Sequence, residues 1–186
     1  MVHRSGKRQN LITREESVLA IIDVQDKLVP VIVHKERVIE NIVRLTKFAQ
    51  MIGLPILITE QEKLGPTVHE VKKESQDSQP ITKVHFNCFF SNEFKNRVHK
   101  TGRKTLILAG IEAHICVAQT ALYALPYFNV HVVSDATSSR TLENWNIALE
   151  RMRQAGIIIT STEMLIYELL QQAGTDEFKS ALLLVK

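Results

Sequence analysis

The chain is poor in several things, and each shortage excludes a class of protein. It has two cysteines, Cys88 and Cys116, in 186 residues. That is too few for a disulfide scaffold, and it points to a reducing, intracellular location, read here as cytoplasmic. No apolar run reaches the roughly 18 residues of a membrane span, so no membrane partner is expected. No secretory h-region stands near the start. Repeats, low-complexity tracts and an interdomain linker are lacking. So is a strong excess of one charge. The formal net charge is +3, yet Arg4, Lys7, Arg8 and Arg14 all precede the first acid, Glu15, which leaves −1 for the rest. A near-neutral body argues against a nucleic-acid groove.

What remains is 45% hydrophobic and 23% charged, the balance of one globular domain with a sizeable core. Residues 1–14 read as a basic, mobile leader, with organelle targeting as the alternative. Residues 15–186 read as a single domain.

Short apolar runs alternate with longer amphipathic ones. Strands are expected at Ser17–Asp23, Pro55–Thr59, Ile81–His85, Thr105–Ala109, Asn129–Ser134 and Ile157–Thr160. Helices are expected from Lys35 to Met51, Glu93 to Lys100, Val117 to Leu125 and Leu142 to Gln154, and Ser161 or Thr162 can cap another. Strands that are apolar throughout and alternate with helices imply a parallel sheet covered on both faces. The expected fold is therefore a Rossmann-like, three-layer α/β sandwich with six parallel strands.

In such a sheet, ligands bind at the carboxyl ends of the strands. Three reactive side chains fall at such ends: Asp23 after the first strand, Lys83 near the end of the third, and Cys116 after the fourth. Cys116 stands in Gly110-Ile111-Glu112-Ala113-His114-Ile115-Cys116, at the entry to a helix. Helix N-termini favour thiolate over thiol, and their free N–H groups can hold an oxyanion. Each residue also has a plainer reading: a turn cap, an edge lysine, a buried inert thiol. Cys88 reads as inert, with a resolving thiol as the alternative. Asp135 and Arg140 read as a structural pair. Phe86 and Phe89 read as core residues or pocket walls, and Trp145 and Tyr127 as subunit contacts. His114 is given no catalytic role.

These residues, taken in order, resemble the isochorismatase-like cysteine hydrolases. The resemblance rests on Ile22-Asp23-Val24-Gln25, on Lys83 before an aromatic turn, on Gly110 to Val117, and on Val132 to Arg140. Thr59-Glu60-Gln61 with Leu64-Gly65-Pro66-Thr67 looks closest to the eukaryotic isochorismatase-domain-containing branch. The resemblance implies a catalytic triad of Asp23, Lys83 and Cys116. It implies a non-proline cis peptide before Glu112, and an oxyanion hole from the N–H groups of Glu112 and Cys116. Gln25, Phe86 and Phe89 are expected to line the substrate pocket. Nicotinamidases of this fold carry an acid–His metal set beyond the second strand. Thr59-Glu60-Gln61 stands there instead, so neither metal nor cofactor is expected.

The expected activity is hydrolysis of a small amide, or a related C–N bond, through a thioester on Cys116. The alternatives are a catalytically idle scaffold of the same fold and a thiol-redox protein using Cys116 with Cys88. A homodimer or homotetramer is expected from the resemblance. It is expected also from the apolar run Ala181-Leu182-Leu183-Leu184-Val185, a liability on a monomer unless it folds back on its own domain.

Overall fold

Six parallel strands run in the order β3-β2-β1-β4-β5-β6 in a computed structural model that describes residues 11–75 and 78–185. They are β1 (Ser17–Ile22), β2 (Ile56–Gln61), β3 (Ile81–Lys83), β4 (Thr105–Ile111), β5 (Asn129–Ser138) and β6 (Ile158–Thr160). The helices are α1 (Lys35–Met51), α2 (His69–Lys73), α3 (Asn92–Lys100), α4 (Ala118–Ala124), α5 (Leu142–Gln154), α6 (Thr162–Leu170) and α7 (Asp176–Val185). The expected six-stranded, three-layer α/β architecture is the one observed.

The two-residue period of a strand decides which layer each side chain joins. In β1, Leu19 and Ile21 join one core together with α1, α6 and α7. Val18, Ala20 and Ile22 join the other, with side chains of α3, α4 and α5. In β4, Ile107, Ala109 and Ile111 face the first core, and Leu106 and Leu108 the second. Both faces are covered, which is why the strands are apolar throughout. Phe48 of α1 and Phe94 of α3 are fully buried anchors, one on each side. Each such side chain contributes about 1.5–3 kcal/mol by leaving water.

Several strand ends differ from expectation. β2 continues through Glu60 and Gln61, because both pair with β3. β3 stops at Lys83, and Val84, His85 and Phe86 leave the sheet. β4 runs through Gly110 to Ile111. Gly110 has φ 117°, and a Cβ there would collide with the backbone of Ile22, so only glycine lets β1 and β4 meet at this point. β5 extends to Ser138, with a register shift between Leu108 and Gly110 of its neighbour.

The C-terminal apolar run folds back as part of α7. Ala181 is buried, Leu184 and Val185 pack against the first core, and Leu183 stays exposed. That argument for an oligomer therefore falls away. Residues 1–10 of the basic leader lie outside the described residues. Of the rest, Ile12 is buried, and Arg14 forms two hydrogen bonds to Glu177 of α7, at 3.0 and 2.6 Å. No helix among the described residues is long and apolar enough to cross a membrane.

Candidate active site

The strand order reverses between β1 and β4, and open α/β sheets bind ligands outside the carboxyl ends of the strands at such a point. Asp23 follows β1, Lys83 closes β3, and Cys116 follows β4. Asp23 adopts a left-handed backbone, φ 53°, which is unusual for a residue with a Cβ and is found where structure serves a site. Its N–H donates to the Thr59 carbonyl of β2 at 3.1 Å.

Cys116 lies in a π-helical turn, Ala113–Val117, ahead of α4. Its wide ring is closed by Val117 N–H donating to the Glu112 carbonyl at 3.2 Å. Single π turns occur mostly at functional sites. The Ile111–Glu112 peptide that leads into the turn is cis.

The fold brings the three side chains together. Lys83 Nζ donates to Asp23 Oδ2 at 2.6 Å, to Gln61 Oε1 at 2.9 Å, and to Cys116 Sγ at 3.7 Å. Asp23 and Lys83 are wholly enclosed as side chains. Thr59 Oγ1 donates to the second oxygen, Asp23 Oδ1, at 2.7 Å.

This geometry sets the charges. Burial works against the Lys83 ammonium, but Asp23 and the two thiols outweigh it and hold its pKa up. Burial pushes the Cys116 thiol up, Asp23 pushes it further, and Lys83 pulls it back only in part. The helix-entry argument favoured a thiolate at rest. Burial first, and Asp23 after it, favour the thiol instead, and Lys83 opposes them. Cys88 is buried deeper, and burial pushes its thiol up to about 11.

Other expected residues lie differently. Gln25 is buried, and its amide is used by backbone: Oε1 accepts from Gln61 N–H, and Nε2 donates to the carbonyls of Gln61 and Gly65. It braces the loop after β2 and has no free group for a pocket. Phe89 is core, stacked with Tyr123 and edge-on to Phe94. Phe86 is exposed. Arg140 pairs with Glu112, at 2.9 and 3.2 Å, and not with Asp135. Asp135 caps α6 by accepting from Thr162 N–H and Oγ1. Trp145 packs inside the chain, with Arg37 over its ring. Thr59 and Gln61 touch the triad, and sequence reasoning gave neither a role.

Where metal-holding members of the fold keep their acid–His set, Thr59, Glu60 and Gln61 stand with no histidine among them. Glu60 Oε1 accepts from Thr67 N–H and Oγ1, both at 2.7 Å, and Gln61 binds Lys83. These residues do not fit a metal. Among the described residues, no group of three His, Cys, Asp or Glu side chains could hold one.

The isochorismatase domain family matches residues 17–164. The chain belongs to the isochorismatase family. It is similar to isochorismatase domain-containing protein 2A of Mus musculus, 35% identical over 94% of this chain and 85% of the mouse protein. Among solved structures it is similar to one described as the MAR1 ribonuclease of Caenorhabditis elegans. That structure has a TM-score of 0.88 and 32% identity, covering 94% of this chain and 92% of that one. It is similar also to the YcaC protein of Escherichia coli, described as an octameric hydrolase of unknown specificity. There the TM-score is 0.84 and the identity 27%, covering 90% of this chain and 85% of that one. The fold is thus that of an isochorismatase-family hydrolase, and the sequence resemblance to the eukaryotic branch holds.

Proposed function

We propose that the chain is a cysteine-dependent hydrolase of a small amide or related C–N bond, working through a thioester on Cys116. The observation that carries the reading is the Lys83 ammonium, which touches Asp23 at 2.6 Å and Cys116 at 3.7 Å. A buried cation held between a carboxylate and a thiol is costly to keep without a use.

The Cys116 sulfur attacks the amide carbonyl carbon, and its proton passes to Asp23. The carbonyl electrons move to oxygen, and the resulting oxyanion is held by the N–H groups of Glu112 and Cys116. The oxyanion collapses, the C–N bond breaks, and Asp23 protonates the departing nitrogen. Water then attacks the thioester as Asp23 takes its proton. The C–S bond breaks and the proton returns to sulfur. Lys83 stabilises negative charge on sulfur during both transfers. Burial and Asp23 favour the protonated thiol, so in this reading attack and proton transfer proceed together.

Phe86, exposed three residues after Lys83, is a wall of the substrate pocket in this reading. Self-association is part of the proposal, supported by the octameric Escherichia coli neighbour. RNA is not an expected substrate. Lys83 is enclosed and Arg140 is tied to Glu112, so neither is free for phosphates.

A catalytically idle scaffold is the second reading, and the burial that pushes the Cys116 thiol up favours it. A screen of small amides, esters and a short RNA, run with wild type and Cys116→Ala, separates the two. Amide turnover lost in the variant supports the hydrolase. No turnover of any amide would leave the scaffold.

A further inference from the structure

Gln61 closes β2 and lies outside the acid–cation–thiol set, yet it touches the cation directly. Its Oε1 accepts from Lys83 Nζ at 2.9 Å, and its Nε2 donates to the Val84 carbonyl at 2.9 Å. One amide therefore grips both the head of Lys83 and the backbone of the next residue.

A lysine ammonium has three N–H bonds in a fixed tetrahedral spread. Among the described residues its three acceptors are Asp23 Oδ2, Gln61 Oε1 and Cys116 Sγ. Fixing two of the bonds fixes the direction of the third. Asp23 alone would leave the ammonium free to turn about a single contact.

We propose that Gln61 is a positioning residue, which holds the Lys83 ammonium so that its remaining N–H points at the Cys116 sulfur. The inference rests on the role given to Lys83 under the proposed function. Gln61 is itself held in place. Its N–H donates to Gln25 Oε1 at 2.8 Å, and Gln25 Nε2 donates to its carbonyl at 2.9 Å and to the Gly65 carbonyl at 2.6 Å. Gln25 is fully buried, so this second amide has no competition from water. The two glutamines form a chain of contacts from the loop after β2 to the sulfur.

The residue type fits the task. A carboxamide offers a neutral acceptor on one side and a donor on the other. A carboxylate in its place would compete with Asp23 for the ammonium and repel a thiolate. An apolar side chain of the same length would offer no acceptor at all.

The test follows the rate of Cys116 alkylation by iodoacetamide against pH, counted by mass spectrometry of the Cys116 peptide so that Cys88 is scored separately. Gln61→Met should slow alkylation about tenfold at any given pH below the midpoint, as the midpoint moves up by one pH unit. The same substitution in a Lys83→Met background should change nothing further, since the contact it serves is already gone. Gln61→Asn, too short to reach Lys83, should act in the same direction, and it carries the test if Gln61→Met fails to fold. A Gln61→Met profile that overlays wild type, while Lys83→Met is shifted, would overturn the inference and leave the triad standing. A further slowing by Gln61→Met on top of Lys83→Met would overturn it too, by showing a general structural effect. An unshifted Lys83→Met would instead sink the triad itself.

Discussion

Lys83 and Asp23 form a fully enclosed ion pair, 2.6 Å from Nζ to Oδ2, with Cys116 Sγ 3.7 Å from the same nitrogen. The pair explains why the cation does not simply create a thiolate. Burial and Asp23 together outweigh the Lys83 charge at the sulfur. Asp23 then has a reason to be present beyond neutralising Lys83. In the proposed mechanism it takes the thiol proton when sulfur attacks.

The two cysteines should separate cleanly. Cys116→Ala should lose at least about 10²-fold in turnover on any amide the screen finds. Cys88→Ser should keep most of it, because Cys88 is wholly buried in the second core. Equal loss in both variants would revive the thiol-redox alternative.

His131 should make the fold acid-sensitive. It is buried in β5, its Nδ1 has no hydrogen-bond partner among the described residues, and burial pushes its pKa from 6.5 down to about 4. The folded protein therefore resists a proton that the unfolded chain accepts. Stability on this account is full above about pH 6.5, falls as pH drops towards 4, and levels off below. The loss by about pH 5 is on the order of 2 kcal/mol. Urea unfolding at both ends of that range checks it, with His131→Leu as the control. If the variant kept the full acid sensitivity, His131 would not be its source.

Gly110→Ala should be severe for its size. A methyl group there meets the Ile22 backbone, and φ 117° is foreign to alanine. The combined cost is about 3 kcal/mol or more, read as a lowered urea midpoint. The change also pushes apart the two strands that carry Asp23 and Cys116. A variant of wild-type stability and activity would show that β1 and β4 do not meet as closely as described.

The sequence was most legible where local chemistry decides the outcome. α1 and α5 begin and end where their patterns place them, and the acid, cation and thiol fall at strand ends because parallel strands present them there. It was least legible where pairing partners decide. Thr59 and Gln61 look like ordinary polar strand residues until the β1–β2 register sets Thr59 beside Ile22 and the β2–β3 register sets Gln61 beside Lys83. Gln25 was expected in the pocket, but its fit to three backbone groups needs the loop after β2 to be in place. Arg140 was matched to Asp135 by nearness in sequence, whereas the turn after β4 carries Glu112 to it. α7 went unread because its apolar residues suggested a partner rather than the flank of its own core.

The claim that Asp23, Lys83 and Cys116 act as one unit is tested most directly by Cys116 alkylation against pH in three proteins. Wild type should show a midpoint above the ordinary thiol range, since burial and Asp23 both raise it and Lys83 opposes them. Lys83→Met should move the midpoint further up by removing the one group that lowers it. Asp23→Asn should move it down by removing a neighbouring negative charge, so that the thiol alkylates faster while amide hydrolysis is lost. Opposite shifts from the two variants are the result the account predicts. Two profiles that overlay wild type would contradict it.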